Sequence, residues 1–300
     1  MSEPREAPMT LRGRTALVTG STGGIGKETA RGLAALGARV VLVGRDRRRA
    51  DAAAAELARG GAEITAHTAD LTRRADLRRL AAEITQRHPR LHILINNAGG
   101  MTPARTLTPD GVEQTFAANV LAPYTLTCLL LPALRAAGDA RVVNLTGGIP
   151  GGALDPANLQ GEKAYLGWRF SQYNHAKTAV MAMSRHLAAR LEDTGVTVNV
   201  AYPGHAHTPG NQALPIRAFP YAYRPLAPLI RLLGPLLLSD LAKPARSSLH
   251  LASSPDLDGV TGAYYNAHSR RTPWPATVLD ERNTRAVGDL CARLSGVTAP

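Results

Sequence analysis

Short runs of β-branched and aliphatic residues recur along the chain, each followed by a longer stretch in which apolar side chains return every three or four positions. The first pattern marks a buried strand and the second an amphipathic helix. In order, it predicts a strand Arg14–Thr19, a helix from Ile25 to a stop at Gly37, a strand Arg39–Val43 and a helix Arg47–Arg59. A strand Glu63–Thr68, a helix Arg73–His88 and a strand His92–Asn96 complete the first half. The second half predicts a helix Gly111–Ala137, a strand Arg141–Leu145, a helix Tyr173–Asp193, a strand Val196–Tyr202, a helix Asp240–Ala252 and a strand Ala263–Asn266. Apolar strands alternating with helices call for a parallel sheet covered on both faces. The expected class is α/β, a doubly wound parallel sheet of Rossmann type with ligands at the carboxyl ends of its strands.

Residues 1–12, polar and proline-containing, are expected to be a flexible arm, with 13–300 a single domain. From about residue 203 to 239 the alternation fails in a proline-rich apolar segment that includes PYAYRPLAPLIRLLGPLLL. Long irregular insertions of this kind usually serve as lids.

Composition removes some functions from consideration. The excess of 35 Lys and Arg over 23 Asp and Glu gives +12, which invites a nucleic-acid partner. The arginines, however, are scattered over predicted helices, and two Trp, eight Tyr and three Phe make no basic-aromatic stripe for stacking bases. No nucleic-acid partner is expected. Cys128 and Cys291 stand far apart without ligand spacing, so neither a disulfide framework nor a metal site is expected. The N-terminus lacks an apolar signal core, and no uninterrupted apolar run approaches the ~20 residues that span a bilayer. The expectation is a soluble, cytoplasmic protein with no integral membrane segment.

Candidate chemistry begins where the first strand ends, in Thr19-Gly20-Ser21-Thr22-Gly23-Gly24-Ile25-Gly26. Glycines between a strand and a helix let backbone approach a pyrophosphate held at the helix N-terminus, which makes Gly20, Ser21, Gly24, Ile25 and Gly26 candidates. A turn that merely needs glycine is the plainer alternative. At the end of the second strand stands Arg45, where an acidic residue would bind the ribose of NAD. An arginine there favours the 2′-phosphate of NADP, unless it is one more solvated base beside Arg47–Arg49. Tyr173 and Lys177, four apart, share one face of a predicted helix, and a neighbouring ammonium makes a phenol easier to ionise.

The spacing G-x-x-x-G-x-G, Asp70-Leu71, Asn96-Asn97-Ala98-Gly99, Asn119, Tyr173-Asn174-His175-Ala176-Lys177 and Pro203-Gly204 follow one another as in the short-chain dehydrogenase/reductase family. The chain resembles that family from about Arg14 to Ser269. The resemblance implies a bound nicotinamide dinucleotide, for which Arg45 favours NADP(H). Asp70 would meet the adenine amino group, or cap the next helix, or both; Leu71, Asn97, Ala98, Gly99, Pro203, Gly204 and Thr208 would line the cofactor cleft. Tyr173 would be the proton donor, Lys177 would hold the nicotinamide ribose and lower the tyrosine pKa, and Asn119 would anchor a relay water. The lid and the ending DGVTGAYYNAHSR are similar to the retinol-dehydrogenase-like branch. Within that resemblance Phe219, Tyr221, Tyr223, Leu226, Leu229 and Ile230 imply a bulky apolar substrate, a dimer contact and peripheral membrane attachment being the alternatives. His205 and His207 form H-x-H without a third ligand, so no metal is expected, and His205 is a substrate-contact candidate. The helices Gly111–Ala137 and Tyr173–Asp193 carry the oligomer contact in relatives, which implies a homodimer or homotetramer.

One position departs from the pattern. The strand RVVNL is followed by Thr146-Gly147-Gly148, and Gly147 stands where the family has its catalytic serine. A local shift would let Thr146 substitute for it, although consecutive strand side chains face opposite ways. A substrate hydroxyl would also serve, or Gly147 and Gly148 would make room for a substrate undergoing non-redox elimination, isomerisation or cyclisation. Ser171, two residues before Tyr173, faces away. Three function classes remain: an NADPH-dependent oxidoreductase acting on a carbonyl or hydroxyl of an apolar small molecule, a non-redox enzyme on the same scaffold, and a non-catalytic NADP-binding protein.

Overall fold

A computed structural model describes residues 10–148, 152–168, 170–204, 215–218, 220–226, 240–297 and 299. Eight strands form one sheet in the order β3-β2-β1-β4-β5-β6-β7-β8. They are β1 Thr15–Thr19, β2 Arg39–Gly44, β3 Ile64–Thr68, β4 Ile93–Asn96, β5 Ala140–Leu145, β6 Val196–Ala201, β7 Tyr264–Tyr265 and β8 Arg271–Thr272. All neighbours pair parallel except β7 and β8. Every residue of β1, β4 and β5 is buried, as strands covered on both faces must be, whereas β3 at the edge is mostly half-buried. The doubly wound sheet expected from the strand–helix alternation is therefore present. The antiparallel β8, two residues long, had no periodicity to announce it.

The helices are α1 Gly24–Ala35, α2 Arg47–Ala58, α3 Arg74–Arg87, α4 Gln114–Phe116, α5 Ala122–Ala137, α6 Gln172–Arg190, α7 Ala242–Ser253, α8 Ala276–Leu279 and α9 Glu281–Ser295. One apolar cluster joins α3, α5, α6 and α9 to the sheet, and a second joins α1, α2 and α7 to its other face. The predicted arm ends sooner than expected: Leu11 is buried in the second cluster and its amide donates to the Leu36 carbonyl at 2.7 Å. The helix expected over Gly111–Ala137 starts at Gln114 and is interrupted by a π turn at Ala117–Leu121. Gln114–Ala137 is long and apolar enough to cross a bilayer by length and composition, although no uninterrupted apolar run marks it, and 83% of its most apolar window is buried inside the protein.

The C-terminal helix α9 lies on α6 and reaches α5, the two helices expected to carry an oligomer contact. Val287 and Cys291 are fully buried there, and a Cβ at Gly288 would meet the His186 ring at 2.6 Å. The tail thus packs beside the sheet, touching the post-β5 segment through Thr277 Oγ1, which accepts from the Leu154 amide at 3.1 Å.

Where the central strands approach the site, a buried polar ladder crosses the core. Asn96 Nδ2 donates to Asn144 Oδ1 at 2.8 Å, and Asn144 Nδ2 donates to Ser184 Oγ on α6 at 2.9 Å. This ladder ties β4, β5 and α6 together just below their functional ends. Asn144→Leu leaves Asn96 and Ser184 each short of a partner and should cost roughly 1–3 kcal/mol. Urea unfolding should show a lower midpoint at unchanged slope; an unchanged midpoint would remove the ladder from the account of stability.

Candidate active site and cofactor cleft

The turn after β1 is held from the next strand pair. Thr19 Oγ1 accepts from the amides of Asn97 and Ala98, both at 3.0 Å, and Asn97 Nδ2 donates to the carbonyls of Thr19 at 2.8 Å and Gly20 at 3.1 Å. A Cβ at Gly26 would collide with Asn97 Nδ2 and the Gly20 carbonyl. Gly26 is therefore required for α1 to start this close to the strand ends. No side chain caps α1, and its first turn holds no acid, so its leading amides are left for a ligand.

Several candidates take different parts from those expected. Ser21 is fully buried; its hydroxyl donates to the Val18 carbonyl at 2.7 Å and accepts from the Val43 amide at 3.0 Å. It pins β1 to β2, so its hydroxyl is not available to a phosphate, which corrects the expectation for this side chain. Asn97 likewise spends its amide nitrogen on the turn. Asp70 does not cap α3, whose N-cap is Arg73; its Oδ1 accepts from the Thr72 amide and hydroxyl at 3.0 and 2.7 Å. Arg45 is exposed at the end of β2, and the neighbouring Asp46 is committed to α2, accepting from the Arg49 amide at 2.8 Å. Ile25 and Leu71 are partly buried against the two apolar clusters.

Across the cleft, α6 presents Tyr173 and Lys177, while Ser171 caps the helix by accepting from the Asn174 amide at 3.2 Å. Lys177 Nζ donates to the Leu145 carbonyl at 3.0 Å and stands 5.8 Å from the centre of the Tyr173 ring. Burial pulls the Lys177 ammonium down to about 8. Burial, with nearby Tyr202 adding to it, pushes the Tyr173 phenol up to about 12. The expected lowering of the tyrosine by its lysine is absent in the protein alone, where burial and Tyr202 both act to raise the phenol.

Asn119 sits in the π turn, a local widening frequent at functional sites. Its Nδ2 donates to the carbonyls of Gly100 and Thr115 at 2.6 and 2.7 Å. A Cβ at Gly99 would stand 2.5 Å from Asn119 Oδ1 and 3.2 Å from Lys177 Nζ. Asn119, Lys177 and the Asn97–Gly99 turn therefore converge on one point. Pro203 is buried and Gly204 half-buried after β6.

At the missing serine, the geometry decides one question. Thr146 Oγ1 donates to the Lys177 carbonyl at 2.8 Å and is buried, so Thr146 is not the substitute. A Cβ at Gly147 would lie 3.1 Å from the Tyr173 hydroxyl, so a side chain at this position would touch that hydroxyl. At Gly148, φ is +68° and a Cβ would collide with Asn174 Oδ1.

A buried network behind the site was missed. Glu113, fully buried, accepts from the amides of Thr115 and Phe116 at 2.7 Å each, and from Gln172 Nε2 and the Tyr165 hydroxyl at 3.3 Å each. It joins the turn carrying Asn119 to the residue before Tyr173. The signal was an acidic residue just ahead of an apolar helix; Tyr165 and Gln172 offered none. His175 is also structural: its Nε2 accepts from the Asp155 amide at 2.9 Å. Of the lid, Tyr221 is 45% exposed, and the amides of Tyr221 and Ala222 donate to the carbonyls of Gly167 and Trp168. His205, His207, Thr208, Phe219, Leu229 and Ile230 lie outside the described residues, as do the side chains of Tyr223 and Leu226. Among the described residues no group of His, Cys, Asp and Glu could hold a metal.

The sequence profile described as short chain dehydrogenase matches residues 14–217. The chain belongs to the short-chain dehydrogenase/reductase family. It is 34% identical to retinol dehydrogenase 14 of Mus musculus, over 97% of this chain and 88% of that one. It is 37% identical to dehydrogenase/reductase SDR family member 13 of Bos taurus, over 96% and 74%. A solved structure, a candidate NAD(P)-dependent gluconate 5-dehydrogenase from Beutenbergia cavernae with NADP bound at low occupancy, superposes with TM-score 0.65 at 28% identity, over 87% of this chain and 97% of that one. The chain is thus an oxidoreductase-family enzyme of the retinol-dehydrogenase-like branch. The expected cytoplasmic location is withdrawn, because retinol dehydrogenases and their member 13 relative are typically membrane-associated.

Lys177 supplies a test of the geometry that does not need substrate. Its folded pKa of about 8 lies below its ordinary 10.5, so between those values the unfolded chain binds more protons and stability rises with pH. The buried ammonium should penalise the fold by on the order of 3 kcal/mol below pH 8. Relative to Lys177→Met, the wild type should gain stability from pH 8 towards 10, before Tyr173 begins to act in the opposite direction. A pH-independent difference between the two would contradict this burial.

Proposed function

We propose that the protein is an NADPH-preferring oxidoreductase that reduces a carbonyl, or oxidises the corresponding hydroxyl, on a bulky apolar small molecule. The observation carrying this reading is the convergence of Lys177 Nζ and Asn119 Oδ1 on Gly99, with the Tyr173 hydroxyl facing Gly147. Gly20, Gly24, Gly26, Asn97–Gly99, Lys177, Pro203 and Gly204 fit a dinucleotide, the absent side chain at Gly26 letting α1 approach the strand ends and that at Gly99 leaving room beside Asn119 and Lys177. When bound, the nicotinamide supplies a hydride to the carbonyl carbon.

The chain's own groups do the rest. Tyr173 Oη gives its proton to the carbonyl oxygen as that oxygen gains charge. Lys177, held by the Leu145 carbonyl, keeps a positive charge on the same helix face and lowers the cost of the phenolate left behind. Arg45 supports the NADPH preference: it is the charged side chain at the end of β2, and the carboxylate beside it is occupied capping α2. The retinol named in the relatives belongs to the bulky apolar class that the aromatic lid supports. A second reading, non-redox chemistry on the same scaffold, is favoured by Gly147 alone.

Turnover of bulky apolar aldehydes and ketones, followed by loss of reduced-nicotinamide absorbance, tests the proposal. Tyr173→Phe should cut kcat by at least ~10²-fold without weakening cofactor binding. Arg45→Asp should raise the KM for NADPH by roughly tenfold or more, and leave that for NADH little changed. Full activity in Tyr173→Phe would overturn the reading; equal effects on both cofactors would overturn the preference.

A further inference from the structure

Gly147 leaves the reacting oxygen without the hydrogen bond a serine would donate, and among the described residues the neighbouring hydroxyls of Thr146 and Ser171 do not supply it. Thr146 is turned to the Lys177 carbonyl and Ser171 to the Asn174 amide. Tyr202, the first residue after β6, is placed differently. The β5 and β6 ends run side by side, with the Thr146 amide donating to the Ala201 carbonyl at 3.0 Å. Tyr202 is then fixed on both sides of its backbone: its amide donates to the Tyr265 carbonyl at 2.8 Å and its carbonyl accepts from Ser247 Oγ at 3.3 Å. Its ring is half-buried, and its hydroxyl donates to the Gly148 carbonyl at 3.4 Å.

The two glycines form the surface under Tyr173. A Cβ at Gly147 would be 3.1 Å from the Tyr173 hydroxyl, and one at Gly148 would be 3.5 Å from Tyr173 Cε1. A hydroxyl that reaches Gly148 therefore reaches the rim of the space that the serine has vacated. We propose that Tyr202 replaces the family serine, its hydroxyl donating a hydrogen bond to the substrate oxygen that Tyr173 protonates. This rests on the oxidoreductase reading above.

The chemistry is consistent with that role. A contact of 3.4 Å is long for an O–H donor, so an oxygen that gains negative charge in the reaction is a better acceptor for it than the Gly148 carbonyl. Burial holds the Tyr202 phenol above its ordinary value, which keeps it a donor across the neutral range. Tyr202 also raises the Tyr173 phenol, as expected of two phenols close enough for their ionised forms to repel. In the reaction Tyr202 keeps its proton throughout: the hydride comes from the nicotinamide, the proton from Tyr173, and Tyr202 contributes one hydrogen bond to the developing oxyanion. A bulkier donor set further back than serine leaves Gly147 open to a wide substrate.

Tyr202→Phe, Gly147→Ser and the double variant separate the possibilities, assayed with NADPH and an apolar carbonyl compound that the wild type reduces. Tyr202→Phe should lower kcat by about 10²–10³-fold, the usual effect of losing one oxyanion donor. Adding Gly147→Ser to it should restore at least roughly tenfold, since the serine returns the donor from its family position. Independently of activity, tyrosinate ultraviolet titration, with Tyr173→Phe to assign the transition, should show the Tyr173 midpoint lowered in Tyr202→Phe. If Tyr202→Phe stays within about threefold of wild type, or if its loss is not relieved by Gly147→Ser while the fold is intact, the proposal is overturned and the oxidoreductase reading stands. If the wild type reduces no carbonyl while binding NADPH, both fall.

Discussion

The buried ammonium of Lys177 is the interaction on which the rest of the site depends. It is nearly inaccessible to water, it is anchored to the carbonyl that closes β5, and it lies on the helix turn next to Tyr173. Holding a cation there costs free energy that the fold must offset elsewhere. The Asn96–Asn144–Ser184 ladder and the packing of α9 on α6 supply that support, because they fix the helix and the strand whose separation decides whether Nζ meets the carbonyl. Stability and chemistry meet at this contact: a group that destabilises the protein alone is the one that prepares a charged cleft for a cofactor.

The same economy explains where side chains are missing. Gly26 and Gly99 allow close approach, one between helix and strand ends, the other between a loop and the Asn119–Lys177 pair. Gly147 differs from them, since its backbone does not require glycine and a Cβ would only crowd the Tyr173 hydroxyl. The space it leaves is chemical rather than conformational: a hydroxyl is missing there, not a backbone freedom that only glycine could supply.

Much of this was legible in the sequence because it rests on period and spacing. Buried parallel strands are apolar throughout, and the four-residue step between Tyr173 and Lys177 places both on one helical face. What escaped depends on how side chains meet after folding. Ser21 and Asn97 lie among cofactor-cleft motifs but use their polar atoms to bind β1 to its neighbours. Thr146 offers a hydroxyl at the right place in the chain and points it at a helix carbonyl. Glu113 has a helix-capping signature, yet its links to Gln172 and Tyr165 cross more than fifty residues and follow no local pattern. The apolar character of Gln114–Ala137, broken by Pro, Tyr and Thr in sequence, emerges only when the segment is coiled into helical turns and packed in the core.

The central claim is that a short-chain dehydrogenase/reductase without its serine still transfers a hydride. The most direct measurement follows deuterium from NADPH, labelled at the transferable nicotinamide hydrogen, into the product of a bulky apolar ketone or aldehyde, with Gly147→Ser alongside. The account predicts label on the former carbonyl carbon in the wild-type product. Label from Gly147→Ser and none from the wild type would contradict it, and would show that the natural chemistry of this site is not hydride transfer.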